Sequence, residues 1–486
     1  MRRLYTALIY ISLALTLTAC SDDDTFSTSP SNILTFEKDT LSLDTVFSTI
    51  PSPHKQLLVY NNSGDGIRIT NARLQNGNQT GFRVNVNGTY LSEKTGYRVN
   101  DIELRKGDSL RIFVELTSAN NLDTLPRPVS DNLIFTLESG VTQQINLKAW
   151  SWDAILLRDL TVNNDTTINN PHGKPVVVYG NIIVKDNTTL TIAPGTTIYF
   201  HSNAGIDVSG TLKALGEKDR EITLRCDRLD RMVSNLMYDN NPGQWGGITL
   251  RSNSFDNEIA YTDLHGATNA ILCDSSQDAT RTKLTLRNTT IHNLNGHGVK
   301  AINSKVHIEN TQISNVLDTC LTFIGGDVNI NYTTIAQYYR FPTGPTPGPA
   351  LVCTNTSKAQ YVPLTLTVKN SIIKGDNDDV IYITRGDSAI KMKFESCLLR
   401  TPSPTSTDST TFINCIFEDV KDTLTSGHNS FHLFDTHYFL FDFTPKEGSQ
   451  AIGTATPDPQ VPIDRKGRPR DALKPDMGCY ETEKKE

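Results

Sequence analysis

The sequence predicts an all-β protein in which a β-sandwich is followed by a right-handed parallel β-helix, a type of β-solenoid. Long stretches of Ala, Glu, Leu and Lys, which favour helices, are nearly absent, whereas Thr, Asn, Asp and Ser are abundant. Short β-branched runs recur between Gly, Asn and Asp turn signals along the chain. From about residue 151 one short pattern returns at nearly regular intervals, which is typical of coils that stack on one another.

Residues 1–19 are interpreted as a signal peptide rather than as part of the fold. Two arginines precede an uncharged apolar stretch, "LYTALIYISLALTLTA", which is shorter than the ~20 residues that a membrane-spanning helix needs. The segment ends in "LTAC", which resembles the bacterial lipobox. This resemblance implies that the thiol of Cys20 is acylated and that the acyl chains attach the protein to a membrane.

Residues 20–32, "CSDDDTFSTSPSN", have the polar composition of a flexible acidic tether. The "SDDD" after Cys20 resembles the lipoprotein export signal of Bacteroidetes. That resemblance implies a lipid-anchored protein of the outer membrane that faces the extracellular side. A solvated acidic linker is the alternative interpretation.

Residues 33–150 predict the β-sandwich. Runs such as "QLLVYN", "SLRIFVEL" and "NLIFTL" alternate apolar and polar residues, and turn signals such as "NNSGDG" and "RKGDS" separate them. The stretch "LLVYNNSGDGIRI" resembles the immunoglobulin-like domain that precedes β-helices in Bacteroidetes surface lipoproteins. No cluster of acidic, His or Cys residues occurs there, so a spacer role is favoured over an independent binding role.

Residues 151–440 predict the β-helix. One template recurs, and the three copies that end at Ile291, Ile313 and Ile335 follow one another at intervals of 22 residues, the length of one coil. A longer interval contains "YYRFPTGPTPGPALV", whose prolines cannot lie in a central strand and which is expected to form a loop. The template copies are "IAYTDL", "LRNTTI", "IENTQI", "INYTTI", "VKNSII", "FESCLL" and "FINCIF".

Stacking of the template predicts two ladders of side chains. Equivalent residues of successive coils lie about 4.8 Å apart, so Ile291, Ile313, Ile335 and Ile373 should line the core. Asn tolerates the left-handed conformation and hydrogen-bonds to its neighbours at turns. An interrupted Asn ladder is therefore expected at a corner, formed by Asn288, Asn310, Asn370 and Asn414 with Tyr261, Tyr332 and Ser396 as exceptions.

Residues 441–486 break the coil pattern with Pro, Gly and charged residues. The segments "EGSQAIG", "DRKGRPR" and "PDMGCYE" resemble the closing segment of Bacteroidetes β-helix proteins of the pectate-lyase-like superfamily, known as a choice-of-anchor-Q cap. Met477 and Cys479 depart from its usual Ile and Ala. The resemblance implies a C-terminal cap over the last coil, whose open edge would otherwise promote aggregation. Asp464, Arg470, Asp476 and Glu481 are candidates for a set of salt bridges within the cap.

The charge and cysteine content of the chain exclude some classes of partner and site. The 46 Lys and Arg residues against 53 Asp and Glu give a net charge of −7 without long runs of like charge, so no basic stripe favours a nucleic-acid partner.

The cysteines after Cys20 are odd in number, irregularly spaced and without a CxxC pair, which favours buried thiols over a disulfide framework or a zinc site. Cys397 and Cys415 fall in one column of adjacent coils. Their spacing suits a disulfide, although simple packing is favoured.

Two sets of residues resemble fragments of β-helix enzymes that cut acidic polysaccharides. "GHG" around His297 resembles a motif of the polygalacturonase-like hydrolases, which also need paired carboxylates near the scissile bond. Asp376, Asp378 and Asp379, with basic residues downstream, resemble the Ca²⁺-binding acids of the lyases. About three coils, or roughly 14 Å, are expected between His297 and these carboxylates, which disfavours a shared hydrolase site. Ordinary corner residues are the favoured interpretation of both sets.

Three aromatic residues at the start of the Pro-rich insertion, Tyr338, Tyr339 and Phe341, could present flat faces to sugar rings. Packing of the loop onto the coil is the alternative.

The leading functional hypothesis is a monomeric cell-surface lipoprotein whose β-helix binds glycans or other extracellular ligands, without a cofactor. The first alternative is a lyase or hydrolase acting on uronate-rich glycans, with Ca²⁺ as cofactor in the lyase case. The second alternative is an adhesin or structural surface protein.

Overall fold

The computed structural model describes residues 25–170, 173–233, 235–341, 345–357, 360–386, 390–404 and 410–483. The chain divides into two compact units, Met1–Asp153 and Ala154–Glu486. The predicted lipid-attachment residue Cys20 lies outside the described residues. No helix among the described residues is long and apolar enough to cross a membrane.

The first unit contains two five-stranded sheets around one hydrophobic core. Successive side chains of a strand point to opposite sides of the sheet. In Ser109–Leu116 this alternation buries every second residue, from Leu110 to Leu116. The architecture agrees with the predicted β-sandwich, and its immunoglobulin-like character stays a prediction. In spatial order, one sheet contains Thr35–Phe36, Lys55–Tyr60, Ser109–Leu116, Phe82–Val86 and Thr89–Tyr90, and the other contains Thr40–Phe47, Thr142–Trp152, Arg127–Leu137, Ile67–Leu74 and Arg98–Leu104.

The segment that precedes the first strand lies against the β-sandwich from Thr25 onward. Phe26 forms a parallel bridge with Gly66, and the guanidinium of Arg68 lies 4.6 Å from the centre of the Phe26 ring. The prediction of a flexible tether through residue 32 is therefore wrong for this part, because an aromatic side chain inside the polar stretch packs onto the sandwich.

The second unit is a parallel β-helix, as predicted. Its coils stack so that each main strand pairs in parallel with the equivalent strand of the next coil. One side, called face 1, is an 11-stranded sheet. Face 1 comprises Ile155–Arg158, Val176–Tyr179, Thr197–Phe200, Ile222–Cys226, Thr262–His265, Thr290–Leu294, Gln312–Val316, Thr334–Gln337, Ile372–Gly375, Leu398–Leu399 and Ile416–Phe417.

A 17-stranded sheet forms the other two sides, called face 2 and face 3. Two long strands, His297–Glu309 and Thr319–Asn331, run through both sides. Face 2 otherwise comprises Thr161–Val162, Asn181–Val184, Gly205–Val208, Gly247–Leu250, Ile271–Cys273, Leu351–Thr354 and Ile381–Thr384. Face 3 otherwise comprises Thr166–Ile168, Thr189–Ile192, Thr211–Leu215, Asn257–Ala260, Thr282–Arg287, Leu364–Lys369, Ile390–Glu395 and Phe412–Ile413.

Smaller elements decorate the coils. Hairpins are formed by Arg231–Val233 with Leu236–Met237, by Thr356–Ser357 with Gln360–Tyr361, and by Phe431–Asp435 with Leu440–Pro445. Short 3-10 helices occur at Glu93–Thr95, Tyr238–Asn240 and Gly427–Ser430.

The predicted aliphatic ladder is confirmed. Ile291 pairs with Ile313, Ile313 with Ile335 and Ile335 with Ile373, and all four side chains are buried in the core of the second unit. Truncation of such a side chain to Ala typically costs about 2–5 kcal/mol, because it removes apolar contacts and leaves a cavity. The ladder therefore fixes the register of face 1.

The predicted left-handed corner is also confirmed. It lies between face 3 and face 1, and it includes the two tyrosines and the serine that the template marked as exceptions. Two of the Asn side chains hydrogen-bond to the C-terminal segment: Asn310 Nδ2 donates to the carbonyl of Ile463, and Asn370 Nδ2 donates to the carbonyl of Thr456. The residues at this corner, all with φ between 43° and 52°, are Tyr261, Asn288, Asn310, Tyr332, Asn370, Ser396 and Asn414.

The C-terminal segment, residues 446–483, follows a path that differs from the predicted cap over the last coil. It lies along the side of the β-helix, where the Gly478 amide donates to the Asn370 carbonyl (2.7 Å) and the Tyr480 hydroxyl bonds to Gln312 (2.6 Å). Further toward the first coils, Arg465 pairs with Glu221 at 2.7 Å. The segment thus bridges several coils, because it covers apolar residues on the outer side of face 1.

The predicted salt-bridge set within this segment forms only in part. Arg470 pairs with Glu481 at 3.4 Å. Asp464 instead accepts hydrogen bonds from the backbone amides of Arg468 and Glu481, and Asp476 accepts them from two other amides. The carboxylates therefore organise the local backbone more than they pair with cations.

Candidate functional site

His297 lies at the start of a face 2 strand, in register with Thr319 as the template predicted. Its Nδ1 is 2.7 Å from the Thr319 hydroxyl, and its Nε2 is 3.3 Å from Asp318 and 3.2 Å from the ammonium of Lys300. Burial lowers the pKa of His297, which Asp318 partly opposes. One carboxylate faces this imidazole within the described residues, so the paired acids of a hydrolase are not assembled around it.

The two glycines beside His297 were expected to be turn residues, but neither has a positive φ. A Cβ at Gly296 would lie 2.3 Å from Asn269 Oδ1, and a Cβ at Gly298 would lie 2.3 Å from the carbonyl oxygen of Cys320. Glycine is needed here because adjacent coils approach too closely for a side chain.

The three predicted acidic residues lie together at the corner after a face 1 strand, but each has its own partners. Asp376 pairs with Arg340, Asp378 is 3.3 Å from Arg400, and Asp379 accepts hydrogen bonds from a threonine hydroxyl (2.8 Å) and a backbone amide. Their carboxylates do not converge on a shared position. The described contacts therefore give no support to a Ca²⁺ site at this corner.

A buried ion network adjoins this corner. Lys374, Arg400 and Glu418 occupy successive coils on the outer side of face 1, and the side chains of Lys374 and Glu418 are 1% and 3% exposed. Glu418 pairs with Lys374 and with Arg400 (2.9 Å), and the Lys374 ammonium donates to Ser430 (2.6 Å). Burial lowers the pKa of Lys374, which Glu418 partly offsets. The network lies beneath the C-terminal hairpin and has a structural role.

The aromatic residues predicted as a sugar-binding platform are buried. Tyr338, Tyr339 and Phe341 are 0%, 6% and 8% exposed, respectively. Tyr338 packs edge-on against Phe434, and Phe341 stacks on Phe439, so the hairpin 431–445 covers the rings. The platform hypothesis is wrong for these rings, because their faces are occupied by other aromatic side chains.

Cys397 and Cys415 are neighbours on adjacent coils, and both thiols are free. The Cys397 thiol points at the carbonyls of Val368 (3.4 Å) and Glu395 (3.3 Å). Side-by-side packing is thus the observed arrangement. Six of the seven described cysteines are buried, as expected.

A different group of residues forms the strongest candidate site. Asp263 and His265 lie two residues apart on one face 1 strand and point to the same, outer side. His292 is paired with His265 in the next coil. Asp239 comes from the 3-10 helix Tyr238–Asn240, in the connection from face 1 to face 2. These four residues are called the His–Asp cluster.

The cluster is closely spaced. Asp263 Oδ1 is 2.6 Å from His265 Nδ1 and 3.3 Å from His292 Nε2. The other nitrogen of His265, Nε2, is 3.5 Å from Asp239 Oδ2, and Asp239 is itself paired with Arg225 at 2.9 Å. The two imidazole rings stack with their centres 4.8 Å apart. One imidazole thus faces a carboxylate at each of its nitrogens.

Electrostatics favours charged groups in the cluster despite burial. Burial disfavours the imidazolium of His265, but Asp263 and Asp239 raise its pKa to about 9. Burial also disfavours ionised Asp263, but the imidazoles of His265 and His292 lower its pKa well below the ordinary value. The pKa of Asp239 is lowered against the effect of burial by His265 and Arg225. Strongly perturbed groups that face one another are typical of functional sites.

The cluster remains open to solvent between two flanking segments. On one corner, the amide of Gln244 donates to the carbonyl of Gly266 (2.7 Å), which holds the connection 238–244 beside the strand. Near the other corner lies the C-terminal segment with Arg465. The side chains of Asp263 and His292 are 34% and 21% exposed, so a ligand could reach them.

Comparisons with known proteins identify no family for the chain. No family model matches it, and no curated protein matches it. Among solved structures, the catalytic unit of a thermostable GH87 α-1,3-glucanase from Streptomyces thermodiastaticus strain HF3-3 is 11% identical over 75% of this chain and 88% of that chain, with a TM-score of 0.23. A family 123 glycoside hydrolase from Clostridium perfringens, studied for glycolipid glycan hydrolysis, is 7% identical over 25% of each chain, with a TM-score of 0.18. Both neighbours are glycoside hydrolases, and TM-scores this low carry no conclusion about the activity of this chain.

Sequence reasoning missed the His–Asp cluster, although part of its signal was present. His265 and His292 each follow directly after the last residue of a template copy, Leu264 and Ile291. The template therefore already placed the two histidines side by side, and Asp263 lies on the same side by strand alternation. Asp239 had no such signal, because it lies outside the repeat.

Proposed function

We propose that the protein binds glycans at the cell surface and that the His–Asp cluster is the centre of its binding surface. The observation that carries the proposal is the convergence of two carboxylates and two imidazoles on the open outer side of a parallel sheet. The proposal includes a lipid at Cys20 that attaches the chain to the outer membrane of a Bacteroidetes cell. The lipobox-like and "SDDD" signals support that address.

The chemistry of the cluster suits a polyhydroxylated ligand. Sugar hydroxyl groups both donate and accept hydrogen bonds, and hydrogen bonds to charged groups are stronger than those between neutral groups. Asp263 and His292 offer an acceptor and an imidazole on the exposed side, about one coil spacing apart. The sheet holds both side chains on a rigid scaffold, which reduces the entropy lost when a ligand binds.

Glycan cleavage is the second candidate function. Asp239 and Asp263 lie on opposite sides of the His265 ring, and a pair of carboxyl groups near a glycosidic bond can act as general acid and general base. An imidazole between them can transfer a proton. A uronate-rich glycan is the proposed substrate in that case, and a protein partner is the third candidate.

The test uses the purified protein and a panel of neutral and uronate-rich polysaccharides, with and without Ca²⁺. Binding is followed by calorimetry, and products are followed by reducing-end assay and ultraviolet absorbance. We expect saturable binding without products, weakened at least about tenfold in Asp263→Asn and His292→Ala, since each change removes a charge-assisted hydrogen bond.

Tyr382→Ala is the matched control, because this tyrosine is 47% exposed on face 2, away from the cluster. Binding should be unchanged in this variant. Loss of binding in Tyr382→Ala with full binding in the cluster variants would move the site to face 2. Unsaturated products would indicate a lyase, new reducing ends a hydrolase, and adhesion to cells without glycan binding a protein partner.

A further inference from the structure

The donor atoms of the His–Asp cluster form a compact set. Asp263 Oδ1, a nitrogen of His265 and a nitrogen of His292 all lie within 4.8 Å of one another. Two of these residues share a strand and the third is the neighbour in the next coil, so the sheet itself fixes their spacing. The set therefore does not depend on a mobile loop.

We propose that Asp263, His265 and His292 bind a divalent transition-metal ion, with Zn²⁺ as the model ion. Two imidazole nitrogens and one carboxylate oxygen are donors that Zn²⁺ and its neighbours in the first transition row prefer. Ca²⁺ prefers oxygen donors alone, so this set does not suit it. Ligand atoms around tetrahedral Zn²⁺ lie roughly 3.4 Å apart at bond lengths of about 2.1 Å. The distance of 3.3 Å between Asp263 Oδ1 and His292 Nε2 matches that value. Asp263 Oδ1 and His265 Nδ1 are 2.6 Å apart, a hydrogen-bond distance, so these two atoms must separate when the ion replaces the proton between them.

His265 is buried and oriented within the donor set. The residue is 7% exposed, and its Nε2 points away from the set toward Asp239, 3.5 Å away, without a hydrogen bond. Its Nδ1 faces the Asp263 oxygen that also faces His292. Nδ1 is therefore the His265 nitrogen that belongs to the set.

Asp239 has the position of an outer-shell carboxylate. It lies 3.5 Å from His265 Nε2, on the side of the ring opposite to Asp263, and Arg225 holds it at 2.9 Å. Histidines that bind metals through one nitrogen usually direct the other nitrogen at a carboxylate or carbonyl, which fixes the ring and its tautomer. Asp239 is thus a positioning residue for His265 and does not contact the ion.

Solvent access leaves room for a further ligand on the ion. The side chains of Asp263 and His292 are 34% and 21% exposed, whereas that of His265 is 9% exposed. Three protein ligands with one open side are typical of metal sites that bind water or a substrate, whereas structural zinc sites are closed by four protein ligands.

The experiment titrates the purified full-length protein, free of any histidine tag and treated with EDTA, with Zn²⁺ by calorimetry in the absence of glycan. We expect one equivalent of Zn²⁺ to bind with a dissociation constant in the micromolar range or below. Co²⁺ titration should produce visible absorption bands of a four-coordinate nitrogen and oxygen site. Since no glycan is present, failure of the glycan proposal leaves this outcome unaffected.

Variants assign the ligands. Asp263→Asn and His292→Ala should each weaken Zn²⁺ binding about 100-fold or more, and Asp239→Asn should weaken it about 10–100-fold, as for other outer-shell carboxylates. His201→Ala is the matched control, because His201 pairs with one carboxylate, Asp227, at a neighbouring corner of the same unit. Circular dichroism and the melting temperature of each variant show that the fold is retained.

Absence of saturable Zn²⁺ binding in the wild-type protein would overturn the proposal. Equal affinity in wild type, Asp263→Asn and His292→Ala would overturn it as well, because the ion would then bind elsewhere. Loss of binding in His201→Ala, with binding retained in the cluster variants, would place the ion at His201 and Asp227.

Discussion

Glu418 is a buried carboxylate that pairs with two buried cations. It pairs with Lys374 and Arg400, and its own side chain is 3% exposed. Removing one partner of a buried ion pair costs more than the pair contributes, because the remaining charge stays in a medium that solvates it poorly. The buried Glu418 should therefore matter far more for the stability of the fold than the exposed Asp378 at the same corner.

Replacing Glu418 by Gln should strongly destabilise the second unit. The change leaves Lys374 and Arg400 without their shared anion, and we expect a loss of about 3–5 kcal/mol in the free energy of unfolding. Chemical denaturation followed by circular dichroism measures this loss. Asp378→Asn is the control, since Asp378 also pairs with Arg400 but is 77% exposed, so its loss should cost less than about 1 kcal/mol. Equal effects of the two changes would contradict a structural role of the buried network.

At the scale of the element, the corner between face 3 and face 1 has one backbone conformation that different residues must adopt. Asn288 has a φ of 49° and Tyr332 a φ of 45°. Asn visits this left-handed region readily, but a bulky side chain there is strained. Tyr332 is retained because other contacts compensate: its hydroxyl donates to the Thr456 carbonyl, and Arg470 lies 3.8 Å from the centre of its ring.

A β-branched residue at Asn288 should therefore destabilise the coil. Asn288→Val should lower the free energy of unfolding by roughly 1–2 kcal/mol or more, whereas Asn288→Gly should cost less than about 1 kcal/mol, because glycine adopts positive φ without strain. Chemical denaturation of the variants checks the order. Asn329→Val is the control, since Asn329 is exposed in an extended strand where β-branched residues are favourable. A Val at position 288 that is as stable as Gly would contradict the strain argument.

At the scale of the whole second unit, the outer side of face 1 has two parts. Toward the last coils, apolar residues such as Ala336, Ile372 and Leu398 are covered by the C-terminal residues 427–483. Toward earlier coils, the same columns carry Asp263 and His292, which stay partly open. The apolar cover of face 1 therefore gives way to a partly open polar patch at the candidate site, while the C-terminal segment continues along the corner to Glu221.

Attachment to a membrane is a property of the whole chain, and Cys20 tests it. Cys20→Ala should move the protein from the membrane fraction to the soluble fraction, because the acyl chains that bury methylene groups in the bilayer are no longer added. Fractionation of cells that express both forms measures the change, and protease treatment of intact cells should release the wild-type protein. Membrane retention of Cys20→Ala, or protection of the wild type from protease, would contradict the proposed address.

The sequence by itself determined the coil, its register and its left-handed corner. Ile291, Ile313 and Ile335 are correctly placed by their 22-residue spacing, because a solenoid converts sequence period directly into spatial neighbourhood. Asn288 and Asn310 mark the corner, because the left-handed conformation is a local steric preference of the residue. Periodicity and local sterics need no knowledge of distant segments.

The tertiary structure alone decided which of these residues stay open to solvent and which are covered. The hairpin 431–445 buries Tyr338 and Phe341, which the sequence alone predicts as a sugar-binding platform. The C-terminal segment lies along the side of the coils. Asp239 joined His265 only because the connection 238–244 folds back onto face 1. The physical reason is that these contacts link segments outside the repeat, whose position depends on the apolar surface that they cover and is not encoded in any local period.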